Sequence, residues 1–210
     1  LDAQGGIAAD CGVDEIGAVI MSGPGVFGGY LSEAHNRGAF AAPGWVNSGD
    51  LGRLDAEGYL WITGRAKDLV IRGGHNIDPA VIEEALMGHE AVAFVGAIGQ
   101  PDSHAGELPC AYVELVKGAT TTSEALMDYA RAHISERAAV PKHVEILSDL
   151  PKTAVGKVFK PDLRRRAIQR IFDAALAEAG LAPRVVAVVE DRKRGLVAQI
   201  HPRADQAAVQ

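Results

Sequence analysis

The chain has 210 residues, 48% hydrophobic and 23% charged, with a formal net charge of −6. This is globular composition, enough for one large domain or two small ones. Acidic and basic residues are mixed along most of the length, which excludes a general electrostatic footprint for nucleic acid or an anionic membrane but leaves local sites for small anions.

Cys11 and Cys110 match no metal or redox spacing, and the seven histidines form no pair at ligand-like intervals. They read as two reduced cysteines of a cytoplasmic protein with no metal site. No apolar run approaches the roughly 18 residues that span a bilayer, and the first residues lack the charged and apolar regions of a signal peptide. The expectation is a soluble intracellular protein. The sequence opens on Leu1 in a Gly/Ala-rich polar stretch, which reads as a piece of a longer chain.

Residues 12–63 alternate short apolar runs with glycine, and the runs 16–21, 26–31, 51–54 and 59–63 read as strands. Asp55, Ala56, Glu57 and Gly58 supply a turn between the last two, which predicts a hairpin over 51–63. To this point the pattern is all-β and barrel-like. After the polar stretch 64–68, strands alternate with longer helical patterns, so a domain boundary is expected there. Strands are predicted at 69–72, 91–98, 110–116 and 144–147. Asp78 as N-cap and Pro79 at the first helical position open a helix through Met87, with Ile82 and Leu86 on one face. Thr122 and Ser123 start another that carries Leu126, Ala130 and Ile134. Pro161 opens a third, lined by Leu163, Ala167, Ile171, Ala175 and Leu176. Residues 185–189 and 196–200 read as a terminal hairpin, and the basic run 164–166 as a solvated helix face.

The expected class is therefore α+β: an all-β, barrel-like N-terminal remnant, a small mixed α/β domain, and a helix–hairpin extension. The corresponding divisions are residues 1–66, 67–166 and 167–210.

Four stretches could carry chemistry: Ser48-Gly49-Asp50, the segment 64–68, the segment 72–79 beginning Arg72-Gly73-Gly74, and "LPKTAVGK" at 150–157. Singly, each has a plain structural account as a turn or an exposed loop. Their order and spacing carry more. "GWVNSGDLGRLDAEGYLWITGRAKDLVIRGGHNIDPAVIEEAL" (44–86) and "LPKTAVGKVFKPDLRR" (150–165) together resemble the C-terminal portion of the adenylate-forming (AMP-binding) superfamily, and "DEIGAVIMSGPGVFGGYLSEAHNRGAF" (14–40) resembles the segment before that family's Thr-Gly-Asp. The resemblance covers about residues 12–165. Within the family it is nearest in character to acyl-CoA synthetases.

That resemblance implies two half-reactions. A carboxylate attacks the α-phosphate of ATP to give an acyl-adenylate and pyrophosphate; the small domain then rotates, and the thiol of CoA displaces AMP. Lys157 matches the catalytic lysine of the first step, where a cation offsets the repulsion between carboxylate and phosphate. Asp50 matches the ribose-binding aspartate, Arg65 an arginine near ribose and phosphate, and Lys67 the hinge. Gly73 and Gly74 match the wall of the pantetheine tunnel. Lys152 reads as structural or auxiliary, and Glu83 matches an acidic residue that could be structural. Two departures stand out: Ser48 replaces the usual threonine, and Val46-Asn47 stand where an aromatic and a basic residue are common.

The family's phosphate-binding loop and its magnesium and adenine motifs do not occur in this sequence. The segment alone is therefore expected not to form acyl-adenylate, with the ATP phosphate and Mg2+ sites largely in a missing large domain. The implied partners are ATP, CoA and a carboxylic acid. Two rivals share these residues: an adenylation domain that loads a carrier protein, and a non-catalytic binding or assembly module whose glycine loops are only turns.

Overall fold

Glycine-punctuated apolar runs at the N-terminal end make an antiparallel sheet in the computed structural model, which describes residues 1–2, 4–181, 184–191 and 194–200. The chain divides into two units, Leu1–Leu69 and Val70–Gln210. In the first, the ten-residue strand β3 (Trp45–Leu54) is the template. Strands β1 (Gly17–Met21), β2 (Phe40–Ala42) and β4 (Leu60–Arg65) each pair antiparallel with it, and a single helical turn, α1 (Glu33–Asn36), precedes β2. This sheet is open. The barrel-like expectation thus reduces to four strands that do not close on themselves, within the expected class.

The predicted hairpin forms between β3 and β4. Asp55 closes it by accepting the backbone N–H of Glu57 (3.1 Å) and Tyr59 (2.8 Å), and Gly58 supplies φ +85°. The strand expected at 26–31 does not form. Gly23 and Gly29 adopt φ +136° and +137°, a region that breaks an extended run, and the Asn36 side chain takes the role of a strand partner by bonding both backbone groups of Tyr30.

In the second unit, β5 (Val70–Arg72) and β6 (His75–Ile77) make a tight hairpin ahead of α2 (Pro79–Met87). The long pair β7 (Val92–Asp102) and β8 (Gly106–Leu115) is antiparallel, and β9 (His143–Leu147) joins β8 in parallel after α3 (Ser123–His133). The helix starts follow from local chemistry: the Asp78 carboxylate accepts from Ala80 N–H at 2.9 Å and the Thr122 hydroxyl from Ala125 N–H at 3.1 Å. In this unit β6 was not predicted, because Gly73 and Gly74 sit so close before it; in the first unit β2 was likewise not predicted.

Period-two alternation on β7 and β8 sends side chains to two cores. Val95, Ala97, Ala111 and Val113 pack with Ile82 and Leu86 of α2 and Leu126 and Ala130 of α3. Ile98, Cys110 and Tyr112 pack with Leu150 and with Leu163 and Ala167 of the 19-residue helix α4 (Lys160–Glu178). Gly96 lets α4 approach, since a Cβ there would lie 2.4 Å from Leu163 Cδ1. The buried stripe on α4 is Leu163, Ala167 and Ile168. Ile171 and Leu176 are half-buried and Ala175 is exposed, so the predicted stripe fades toward the C-terminal end.

α4 runs without interruption across the expected boundary between residues 166 and 167. The predicted terminal hairpin forms as β10 (Val185–Asp191) and β11 (Gly195–Ile200). It docks on α4 through Val185, which is buried and donates its N–H to Asp173 at 2.8 Å. No described helix is long and apolar enough to cross a membrane.

Candidate active-site residues

Within the first unit, β3 bulges at residues 48–50. Ala18 faces Leu51 and Ile20 faces Asn47, so Val19 alone opposes three residues. Such a bulge re-aims a side chain. It is held by side chains of its own motif: Ser48 Oγ donates to Val19 O (2.8 Å) and accepts from Asp50 N (3.0 Å), while Asn47 Oδ1 accepts from Gly49 N (2.9 Å). Gly49 takes φ +75°, which explains the glycine. The serine hydroxyl fills the structural part of the position where threonine was expected.

Asp50 pairs in register with Arg65 across β3 and β4, and Arg65 Nε lies 2.7 Å from Asp50 Oδ1. The structure thus brings together two residues that the motifs named separately. The Asp50 side chain stays 28% exposed beside Arg65. Lys67 lies in a 3-10 turn, Ala66–Asp68, just before the end of this unit.

In the second unit, Gly73 and Gly74 are the two turn residues between Arg72 and His75, with φ +55° and +88°. Positive φ at both is what a two-residue hairpin demands, so the pair is required by the fold whatever else it does. A Cβ at either would meet nothing within 4 Å, which leaves the outer side of the turn open.

The loop expected at 150–157 is a closed hairpin. Lys152 and Val158 form an antiparallel bridge, Thr153 N donates to Lys157 O (2.7 Å), Gly156 N to Thr153 O (2.8 Å), and Lys157 N to Thr153 Oγ1 (3.2 Å). Gly156 supplies φ +79°. Its two lysines differ sharply. Lys152 Nζ reaches Glu114 Oε2 at 2.5 Å and Asp149 Oδ1 at 2.9 Å, and stands 4.6 Å over the Phe94 ring. The carboxylates of Glu114 and Asp149 hold its ammonium above the ordinary lysine range. Lys157 is exposed, with no ion pair among the described residues.

Comparison with known proteins decides the family. Residues 81–157 match the AMP-binding enzyme C-terminal domain. The chain is 49% identical over 170 residues to marinolic acid–CoA ligase of Pseudoalteromonas sp. (strain SANK 73390), covering 81% of this chain and 26% of that one. It is 43% identical over 155 residues to long-chain-fatty-acid–CoA ligase of Bacillus subtilis (strain 168), covering 74% and 27%. The chain belongs to the adenylate-forming, AMP-binding superfamily. Its fold follows o-succinylbenzoate CoA synthetase of Bacillus subtilis bound to the acyl-adenylate intermediate, with TM-score 0.67 and 35% identity over 73% of this chain and 31% of that one. The chain therefore spans about a quarter to a third of the length of the superfamily members it matches.

Sequence reasoning on this superfamily segment missed two polar ties. Glu83 Oε1 accepts Ala97 N–H (2.8 Å) and pairs with Lys160 Nζ (2.8 Å), joining α2, β7 and α4. Glu114 accepts both Leu150 N–H (2.8 Å) and the Lys152 ammonium. A signal for Glu114 existed: it continues the 110, 112 alternation, placing a carboxylate in phase with core residues Cys110 and Tyr112.

Proposed function

We propose that this chain is the C-terminal part of an ATP-dependent acyl-CoA ligase, acting in the cytoplasm on a fatty or other carboxylic acid through an acyl-adenylate and then a CoA thioester. The observation that carries this reading is the contrast within one hairpin: Lys152 is engaged by two carboxylates, whereas Lys157 is presented to solvent on a closed turn. An ammonium on a rigid support suits the first half-reaction. Attack of a carboxylate on a phosphate brings like charges together, and a preorganised cation stabilises the charge that develops on the transferring oxygens.

In this reading Lys157 is the catalytic residue. Asp50 accepts from the two ribose hydroxyls, and Arg65, 2.7 Å from Asp50 Oδ1, orients that carboxylate near ribose and phosphate. Lys67, at the end of the first unit, absorbs the backbone change when the second unit turns between half-reactions. Gly73 and Gly74 then offer a side-chain-free wall to the pantetheine arm of CoA. Support comes from the two CoA ligases at 49% and 43% identity, and from the same o-succinylbenzoate synthetase in complex with ATP and magnesium ion.

The test is Lys157→Ala in the complete protein that carries this segment. ATP–pyrophosphate exchange driven by the carboxylic acid should fall by about 10²–10³-fold, the scale for losing one electrostatic donor. An exchange rate equal to wild type would overturn the assignment. Supplying free CoA, and comparing it with a carrier-bound pantetheine, separates ligase from carrier-loading activity.

A further inference from the structure

We infer that Glu114, acting through Lys152, is a positioning residue that fixes the hairpin presenting Lys157 for the adenylation half-reaction; this rests on the functional reading above. The hairpin is stiff within itself, because three backbone-directed bonds tie residues 153–157 together and Phe159 N–H donates to Pro151 O at 2.7 Å. A stiff element still needs an anchor. On the helix arm, Val158 and Leu163 pack against the space over Gly96. On the other arm the polar anchor is one oxygen, Glu114 Oε2, which accepts from Leu150 N–H at 2.8 Å and from Lys152 Nζ at 2.5 Å.

That oxygen holds the hairpin at two points two residues apart, which fixes direction as well as distance. Asp149 also touches Lys152, but it is 82% exposed, and exposed ion pairs contribute little. Glu114 and Lys152 are 18% and 23% exposed, so their charge-assisted bond is the stronger of the two. The Phe94 ring beneath the ammonium completes a seat that a neutral side chain would not occupy in the same way. Lys152 is thereby committed to the scaffold, and the geometry leaves Lys157 to reach the reacting oxygens. A catalytic group displaced by about 1 Å can lose about 10²-fold in rate.

Glu114→Gln in the complete protein keeps an acceptor for Leu150 N–H and removes the charge that holds Lys152. Acid-dependent ATP–pyrophosphate exchange should slow by about 10- to 100-fold in kcat, with KM for ATP unchanged. Thioester formation from supplied acyl-adenylate and CoA should keep its wild-type rate, which also reports that the variant is folded. Because the effect runs through Lys157, adding Glu114→Gln to Lys157→Ala should slow exchange no further. Equal losses in both half-reactions, an undiminished loss in the Lys157→Ala background, or no loss at all would each overturn the positioning role. If Lys157→Ala alone leaves exchange intact, the functional reading itself fails, and that outcome is distinct from Glu114→Gln being silent while Lys157→Ala is inactive.

Discussion

Burial and charge act most visibly on single side chains between β8, β9 and α4. Cys110 is the register partner of His143 on β8, Tyr112 and Glu145 lie beside it, and the charge of Arg170 on α4 reaches it. Tyr112 and His143 rings lie 6.5 Å apart, Glu145 Oε2 is 3.6 Å from His143 Nε2, and Arg170 donates to Gln100 at 2.6 Å. Burial, followed by the Arg170 charge, lowers the His143 pKa below its ordinary 6.5, against the opposing pull of Glu145. Burial likewise pushes the Cys110 thiol up to about 11, keeping it neutral. The sign follows: a histidine with a depressed folded pKa binds fewer protons in the folded state, so stability present above the unfolded value is lost as pH falls from about 6.5 toward the folded value. Denaturant midpoints should therefore drop between pH 7 and pH 5, and His143→Asn should flatten that drop. Identical slopes for variant and wild type would remove His143 as the cause. Residues of this kind are hard to read from sequence, because His143 and Arg170 meet only when α4 lies on the sheet. Glu114 was half-legible by comparison, as a carboxylate in phase with core positions. Asp50, Arg65 and Lys157 could be named only through the family resemblance, and the Asp50–Arg65 pairing across two strands was not legible even so.

Elements formed where local chemistry was sufficient. Asp78, Pro79 and Thr122 set helix starts through bonds spanning two or three residues, and the 51–63 hairpin follows from Asp55 and Gly58. The segment 26–31 failed as a strand because its glycines and the remote Asn36 side chain outweighed the apolar run. The segment 150–157 has no hydrophobic period, yet bonds to Thr153 close it into a turn. Packing of α4 on β7 offers a sharp test of the second core. A methyl at position 96 would lie 2.4 Å from Leu163 Cδ1 and 2.8 Å from Val158 Cγ1, so Gly96→Ala must shift the start of α4 or the residues beside it. Overpacking of this sort costs about 1–3 kcal/mol. Urea unfolding should show a lower midpoint with an unchanged m-value. A midpoint equal to wild type would mean that α4 is not seated as closely as Gly96 permits. Leu163→Ala relieves the same clash, so the double substitution should be less destabilised than the two single losses added together.

The two units differ in how much apolar surface they bury, and that difference governs how the chain should unfold. The second unit holds two side-chain clusters around one sheet, with Ile82, Leu86, Leu126, Ile98, Tyr112 and Leu163 essentially solvent-free. At about 1.5–3 kcal/mol per fully buried large apolar side chain, this is a core able to offset the ordering of its backbone. Among the described residues of the first unit, only Gly52 is fully buried. Ile16, just before its sheet, and Leu54, Leu60, Trp61 and Ile62 within it stay exposed, and an open cleft of about 660 Å³ lies beside Ile16, Ile20, Leu54 and Leu60. A four-stranded sheet that leaves this much apolar surface exposed lacks the packed layer that stabilises such sheets. Residues 70–200 expressed alone should therefore give a single cooperative thermal transition, coincident by near- and far-ultraviolet circular dichroism. Residues 1–69 expressed alone should show no cooperative transition. A sharp transition from the shorter piece would mean that its strands find a core this sheet does not display, and a featureless melt from residues 70–200 would mean that the two side-chain clusters do not suffice by themselves.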